Sequence, residues 1–410
     1  MAEQFLNIQE EIIKSKGLAP KPPSEEQKHR LERTRKIMES HDLDGILLFG
    51  SAATNPEPVR YLANYIHVYP SASSFLYLPT ESHPILMLDQ EWHIGEAKKM
   101  SWVEDVRYFP NVARRWLAGE LKKLFSDILV GSGLKRGKLG VFDTDMPSGY
   151  MDILKAAGPH IKILDAGPVW QDLVASPSDY DIAMIRKNAL VADKGQETAA
   201  KSFSEGKTEY EVCFDSLGAM AAMGAEFLHG GGVSTHVNTG SFSDCVGNVR
   251  PYMFTAKPIE KGHMFWFDLT ASYAGYYTDC CRTISIGEPK KEQQKIYEVC
   301  AMMYKAMEEA VRPGVTGGEV WEVGNQVAEE FGWEGNINLV YLGHTTGITT
   351  SVRPVIAKGE TKEIKAGSFV NIEPGIFIPG VGSSSLENTL YVTEEDTKPI
   401  NQYGLELHVV

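Results

Sequence analysis

The run "KPIEKGHMFWFD" at 257–268 returns as "KEIKAGSFVNIE" at 362–373, displaced by the same 105 positions at both ends (362 − 257 and 373 − 268). Upstream, "TEYEV" at 208 is matched by "TGGEV" at 316. His236 precedes His344 by 108 residues, and Asp279 precedes Glu387 by 108. A generic alternation of helices and strands explains the order of elements but not the matched strand ends, so the pattern reads as a duplicated unit. Each copy runs helix, loop with a histidine, turn, strand ending in a carboxylate, strand carrying a second carboxylate. Two such copies pack about a pseudo-twofold axis, which brings their strand-end acids together.

The stretch "FDLTASYAGYYTD" places Asp268 and Asp279 in apolar strand sequence, 11 residues apart. Their midpoint lies about one residue from the Ala274–Gly275 turn, so a hairpin sets them on one face, with β-carbons roughly 5 Å apart if directly opposed. Two bare carboxylates that close repel, and one has to stay protonated unless a cation lies between them. The second copy offers Glu373 in "NIEPG", Glu387 in "SSLENTLYV" and His344 in "YLGHTTG". Four carboxylates and one imidazole suit two divalent ions, with Mn, Zn, Co and Fe all compatible with the donor set.

A chain of 410 residues is long for one domain, and 43% hydrophobic content fits a globular fold. The net charge of −14 argues against nucleic acid or an anionic membrane as the main partner. Five cysteines, with no Cys-x-x-Cys pair, fit a reducing compartment. The N-terminal sequence is polar, and no run of 18 apolar residues occurs, so the expectation is a cytoplasmic protein without a membrane span. Residues 1–24, ending in "LAPKPPS", read as an arm. Residues 25–172 read as an α/β domain: Ser24 caps a helix over "SEEQKHRLERTRKIMESHD", and "LDGILLFG", "SSFLYLP", "HPILMLD" and "KLGVFD" are strands. Residues 173–410 hold the duplicated unit, opened by capping boxes at Ser178/Asp181 and Thr208/Glu211.

The order of Asp268, Asp279, His344, Glu373 and Glu387, carried on "FDLTASYAGYYTDCCRT", "GHTTG", "IEPGIF" and "LENTLYVTEE", resembles the pita-bread metallohydrolases: prolidase, aminopeptidase P, methionine aminopeptidase and creatinase. "DLVASPSDYDIAMIRKNA" resembles the helix that opens their catalytic domain, and "LDGILLFG" with "VRYLANY" resembles the N-terminal domain of prolidase and creatinase. The resemblance implies a ribonuclease H-like α/β N-terminal domain followed by an α+β pita-bread domain, assembled as a homodimer. It implies that Asp268 binds one metal, that Asp279 and Glu387 bridge both, and that His344 and Glu373 complete the other. It further implies hydrolysis of a C–N bond in a small peptide-like or amide substrate by metal-bound hydroxide, with Glu387 and Glu373 as the catalytic carboxylates and Glu387 as the proton acceptor.

The sequence also departs from the peptidase pattern. Ser351 and Val352 stand where a second histidine and its neighbour usually follow "GHGIG". Arg250 stands where an upstream histidine usually precedes the first metal aspartate, and Ser385 stands where prolidases often carry arginine. His236, Arg250, Ser351 and Arg353 are the candidates for substrate contact. A non-peptidase member is the alternative, such as a creatinase- or ectoine hydrolase-like enzyme or a dimethylsulfoniopropionate lyase-like one. A metal-free binding protein is the third reading, against which the five ligand types stand. Cys280 and Cys281 read as small packed residues, and Arg282 as a structural charge partner.

Overall fold

The computed structural model describes residues 21–51, 56–67, 72–111, 117–142, 146–226, 236–241 (main chain only), 256, 258–337 and 341–410. The arm at 1–20, Arg250 and Cys245 lie outside the described residues. The chain divides into two compact units, with the break in the described chain between Val174 and Ala175.

The first unit is built on a six-stranded sheet of order β4-β3-β2-β1-β5-β6. The strands are β1 (Gly45–Ser51), β2 (Ser73–Pro79), β3 (Ile85–Leu88), β4 (Asp105–Tyr108), β5 (Gly137–Phe142) and β6 (Ile161–Asp165). The helices are α1 (Ser24–Ser40), α2 (Glu57–Ala63), α3 (Ile94–Met100), α4 (Ala118–Gly131), α5 (Ser148–Ala157) and α6 (Gly167–Val174). β1 runs antiparallel to β2 and parallel to β5, so the sheet is mixed. Its core packs Leu47, Phe49, Phe75, Tyr77 and Val141 against Phe125, Ile128 and Leu129 of α4 and Tyr150 and Leu154 of α5. One detail differs from the sequence reading. Ser24 does not cap α1; it is the first helical residue, behind Pro23, and its hydroxyl donates to the Glu25 carboxylate. Proline's fixed φ already provides the extended entry that a cap residue adopts.

The second unit contains the duplication. The first copy is α7 (Asp179–Ser202), α8 (Glu209–Ala222), β7 (His236–Ser241), β8 (Met264–Tyr273) and β9 (Tyr276–Ser285). The second is α9 (Lys291–Ala310), α10 (Gly317–Glu330), β10 (Gly343–Thr346), β11 (Val352–Val355), β12 (Phe369–Ile372), β13 (Gly375–Ile378), β14 (Gly382–Ser385) and β15 (Asn388–Val392); β16 (Thr397–Pro399) and β17 (His408–Val409) finish the chain. The expected capping boxes are present at Ser178/Asp181 and Thr208/Glu211, and Thr316/Glu319 forms a third in the second copy. The copies match outside the strands too. Thr208 bridges Pro258 as Thr316 bridges Glu363, and Gly206 N–H donates to Ile259 O at 2.9 Å as Gly314 N–H donates to Ile364 O at 2.9 Å.

Each long helix holds its own sheet. Asn188 of α7 donates to the carbonyls of Ala271 and Tyr276, and Gln196 donates to those of Phe267 and Cys280, so two amides on one helix face fix the β8–β9 hairpin. In the second copy Val370, Ile372, Leu390 and Val392 pack into one apolar cluster with Ile296, Val299, Met303 and Met307 of α9 and Val320 and Trp321 of α10. Strand alternation then turns the residues between these apolar ones to the opposite face, where the candidate ligands lie.

Candidate metal centre

The β8–β9 hairpin turns through Ala274 and Gly275, both at positive φ (57° and 78°), a two-residue loop that fixes the register. That register pairs Asp268 with Cys281 and Asp279 with Thr270. The two acids are therefore diagonal neighbours on one face, not directly opposed as the spacing suggested: centring the turn on Ala274–Gly275 moves each partner one step along the ladder. Their carboxylates still converge, because long side chains reach across a diagonal.

Glu387 arrives from the other copy. Its backbone pairs with Cys281 across the seam, Glu387 N–H donating to Cys281 O at 3.1 Å and Cys281 N–H to Glu387 O at 3.4 Å. Directly opposed antiparallel residues share a face, so Asp268, Cys281 and Glu387 form a row over three strands, with Asp279 beside it. Ligand oxygens of Asp268, Asp279 and Glu387 lie within 4.8 Å of one another.

His344 and Glu373 close on the same cluster through Asp279. His344 Nε2 is 3.6 Å from Asp279 Oδ2 and 3.9 Å from Glu373 Oε1. Gly343, just before His344, has φ 148°, and a β-carbon there would stand 2.2 Å from Asn371 O, so only glycine lets β10 approach β12 this closely. The structure thus brings Asp268, Asp279, His344, Glu373 and Glu387 into one linked cluster. His344 and Glu387 are buried, and the three other acids are half-buried.

Hydroxyls from neighbouring strands orient the carboxylates. Thr270 Oγ1 donates to Asp279 Oδ1 at 3.2 Å, and Ser385 Oγ donates to Glu387 Oε1 at 3.2 Å. Thr389 Oγ1 accepts from Asp279 N–H and donates to Asp279 O, both at 3.2 Å. Burial opposes a charge on His344, but Asp279 first, then Glu373 and the Thr345 carbonyl, outweigh it and hold the imidazole pKa at about 9. A pocket with that much negative charge on oxygen donors, and one imidazole, has the composition that divalent cations require; cation binding would displace the imidazole proton.

The candidate substrate residues are placed differently. His236 begins β7, its backbone paired with Thr270. That register does not make it the counterpart of His344: His344 pairs with Asn371, which matches Trp266 at the repeat offset, and Trp266 pairs with Gly240. The 108-residue spacing of the two histidines is therefore not a structural equivalence. Ser351 is exposed at the start of β11. Arg353 is held by Glu360, with Nε 2.8 Å from Oε2 and Nη2 2.5 Å from Oε1.

Two groups carry more of the site than their sequence suggested. Arg282 is buried and donates to the carbonyls of Cys281 (2.8 Å), Glu387 (2.6 Å), Gly404 (2.6 Å) and Tyr403 (2.5 Å) and to Asn388 Oδ1 (2.8 Å), pinning both sides of the seam. Ser385 was visible in sequence only as a departure; its spacing of two from Glu387 is the signal that it shares a face with that acid. Cys280 and Cys281 are fully buried, and burial pushes the Cys280 thiol well above its usual range.

Comparison with known proteins agrees with this geometry. The model of metallopeptidase family M24 matches residues 183–394, and that of the creatinase/prolidase N-terminal domain matches residues 30–173. An Xaa-Pro dipeptidase of Pyrococcus horikoshii is 27% identical over 379 residues, covering 92% of this chain and 98% of that protein. An Xaa-Pro dipeptidase of Pyrococcus furiosus is 32% identical over 239 residues, covering 58% of this chain and 66% of that one. Among solved structures, the prolidase of Pyrococcus horikoshii superposes with a TM-score of 0.76 at 24% identity, covering 92% of this chain and 99% of that one. The Xaa-Pro dipeptidase of Bacillus anthracis gives 0.77 at 22%, covering 94% and 100%. The fold is thus the pita-bread fold behind a creatinase-type N-terminal domain, and the chain belongs to metallopeptidase family M24, a family of metallohydrolases.

Proposed function

We propose that this enzyme hydrolyses the peptide bond of small peptides of the Xaa-Pro type, and that Asp268, Asp279, His344, Glu373 and Glu387 hold two divalent cations for it. The observation that carries the reading is the convergence of Asp268, Asp279 and Glu387 oxygens within 4.8 Å, with His344 and Glu373 joined to them at Asp279. Full-length similarity to a protein named Xaa-Pro dipeptidase favours a peptidase over the creatinase-, ectoine hydrolase- and lyase-like alternatives. Bound divalent ions supply Lewis acidity toward a carbonyl and lower the pKa of water.

The chain's own residues do the rest. Glu387 is the proton acceptor; Ser385 fixes one of its oxygens and so sets the rotation of the carboxylate. Asp279 is held on both its side chain and its main chain, by Thr270 and Thr389, and does not swing when charge moves in the site. His236, Arg250, Ser351 and Arg353 are the residues proposed for substrate contact. With Ser351 in place of an imidazole, the substrate carbonyl receives a neutral hydroxyl partner there. The domain limits are those of the sequence, an arm to residue 24 and a catalytic domain from 173. A homodimer is the proposed assembly. Cytoplasmic location is supported by the free thiols of Cys213, Cys280, Cys281 and Cys300, and among the described residues no helix is long and apolar enough to cross a membrane.

The test is a panel of Xaa-Pro dipeptides and proline-second tripeptides, offered to protein loaded separately with Mn2+, Zn2+, Co2+ or Fe2+. Dipeptide turnover that EDTA abolishes is expected, and Glu387→Gln should lower kcat by about 10²- to 10⁴-fold, the usual value of a general base. No turnover at full metal loading rejects the peptidase reading.

A further inference from the structure

Asn371 lies two residues before Glu373 and faces His344 in the β10–β12 register and Thr389 in the β12–β15 register. Val370 and Ile372 on either side of it point into the apolar cluster with α9 and α10, so Asn371 points the other way, to the face of the candidate ligands. Both its flanking residues touch Asp279: Thr389 through the main chain and His344 at 3.6 Å. Its side chain is 0% exposed, and neither Nδ2 nor Oδ1 has a hydrogen-bond partner among the described residues. Other buried amides of this domain are hydrogen-bonded: those of Asn188, Gln196 and Gln293 each donate twice to main-chain carbonyls, and those of Asn325, Asn388 and Asn401 donate to side-chain oxygens. Packing does not demand an amide here either, since the matching position of the first copy is Trp266, in an apolar cluster with Cys281 and Phe377.

A fully buried carboxamide with none of its hydrogen bonds made is destabilising unless something the protein binds satisfies it. Its neighbours are carboxylates and an imidazole, which are the groups whose orientation controls cation affinity. We propose that Asn371 is a positioning residue of the metal centre: its carboxamide supplies the hydrogen bond that orients the liganding side chains beside it when a divalent cation draws them together. The donor –NH2 serves a carboxylate oxygen of the Asp279–Glu373 group, and the packing of Thr389 and His344 on either side fixes the plane of the amide.

This inference rests on the reading of those residues as ligands, and the experiment separates the two. Full-length wild-type protein and Asn371→Leu, which is close in volume but has no polar atoms, are titrated with Mn2+ by calorimetry, and Co2+ forms are compared by visible absorption. Metal-free thermal unfolding is recorded for both, with Asn371→Ala as a second variant should the leucine fold poorly. Expected are a Kd for Mn2+ weakened by about 10- to 100-fold, the usual effect of removing such a partner, an altered Co2+ spectrum, and a metal-free Tm unchanged or raised. A Kd within twofold of wild type with an unchanged Co2+ spectrum overturns the inference, whatever the Tm does. Failure of the wild-type protein itself to take up Mn2+ overturns the metal reading beneath it.

Discussion

The two copies within the catalytic domain share a scaffold and differ in what they carry. The first copy is a long hairpin, two ten-residue strands about a tight turn, with Asp268 and Asp279 set diagonally on one face. The second is broken into four-residue strands, β10 through β14, with a register shift in the β10–β11 pairing between His344 and Thr345. Glu373 and Glu387 sit at strand ends in this second copy, where the backbone leaves the ladder. Duplication therefore accounts for the sheet and its helices, while the candidate ligands come from both copies, Asp268 and Asp279 from the intact hairpin and His344, Glu373 and Glu387 from the broken one. Each copy brings a carboxylate to the seam: Glu387 of the second faces Cys281 of the first, and Asp279 of the first is hydrogen-bonded through its main chain to Thr389 of the second.

Breaking the seam should have the largest effect on stability. Arg282 donates to Cys281 O in the first copy and to Glu387 O in the second. It also acts on the half-buried Asp193, whose carboxyl is raised by desolvation and lowered by the main-chain N–H of Gln402 and by Arg282. Arg282→Met keeps the apolar stem but leaves five acceptors and a half-buried acid without the guanidinium. Removing one partner of a buried, hydrogen-bonded charge costs about 3–5 kcal/mol, so equilibrium urea unfolding of the metal-free protein should show a loss of that size. A loss under about 1 kcal/mol, the net worth of one ordinary hydrogen bond, would mean that the two copies cohere without this clamp.

A second substitution asks how far the copies have diverged at their helix starts. "TEYEV" and "TGGEV" occupy the same place, but Glu209 and Tyr210 are replaced by Gly317 and Gly318. In the second copy the loop after β11 crosses the start of α10: a β-carbon on Gly317 would lie 2.0 Å from Val355 O, and one on Gly318 would lie 2.6 Å from Glu360 O. Gly317→Ala should then destabilise by about 1–3 kcal/mol through overpacking, although alanine is the better helix former. A Tm equal to wild type or higher would show that this loop yields freely.

The sequence carried the domain order, the repeat and all five members of the acidic cluster, because those depend on residue type and on spacing along the chain. It carried less where spacing and register part company. Eleven residues between Asp268 and Asp279 is compatible with direct or diagonal pairing, and only the turn at Ala274–Gly275 decides. The 108-residue interval His236–His344 looks like an equivalence, yet the strand registers place Gly240, not His236, opposite the counterpart of Asn371. The Arg353–Glu360 ion pair has no local signal in "SVRP", because it depends on the chain folding back seven residues later. Asn371 has no motif at all; its burial and its orientation are properties of the assembled sheet. β4 and β6, at 105–108 and 161–165, escaped because short edge strands of mixed polarity carry little periodicity.

The smallest effect gives the sharpest comparison. Thr208 and Thr316 cap α8 and α10 with the same geometry: each Oγ1 accepts the N–H of the residue three on at 3.2 Å, and each cap N–H donates to that glutamate at 2.8 Å. Main-chain hydrogen bonding at Thr208 and Thr316, then their hydroxyls, hold Glu211 and Glu319 below the usual glutamate range. The boxes therefore contribute fully above that range, and their contribution is lost as pH falls through the depressed values. Thr208→Ala and Thr316→Ala should each cost about 1 kcal/mol at neutral pH, agree within about 0.5 kcal/mol, and shrink together as the solution is acidified. Equilibrium urea unfolding at a series of pH values measures both. Unequal losses would place the difference in the first helical turn beyond each cap. That turn holds Glu209 and Tyr210 in α8 but two glycines in α10, so a larger loss at Thr316 would mean that the glycines' backbone freedom outweighs the shared cap geometry.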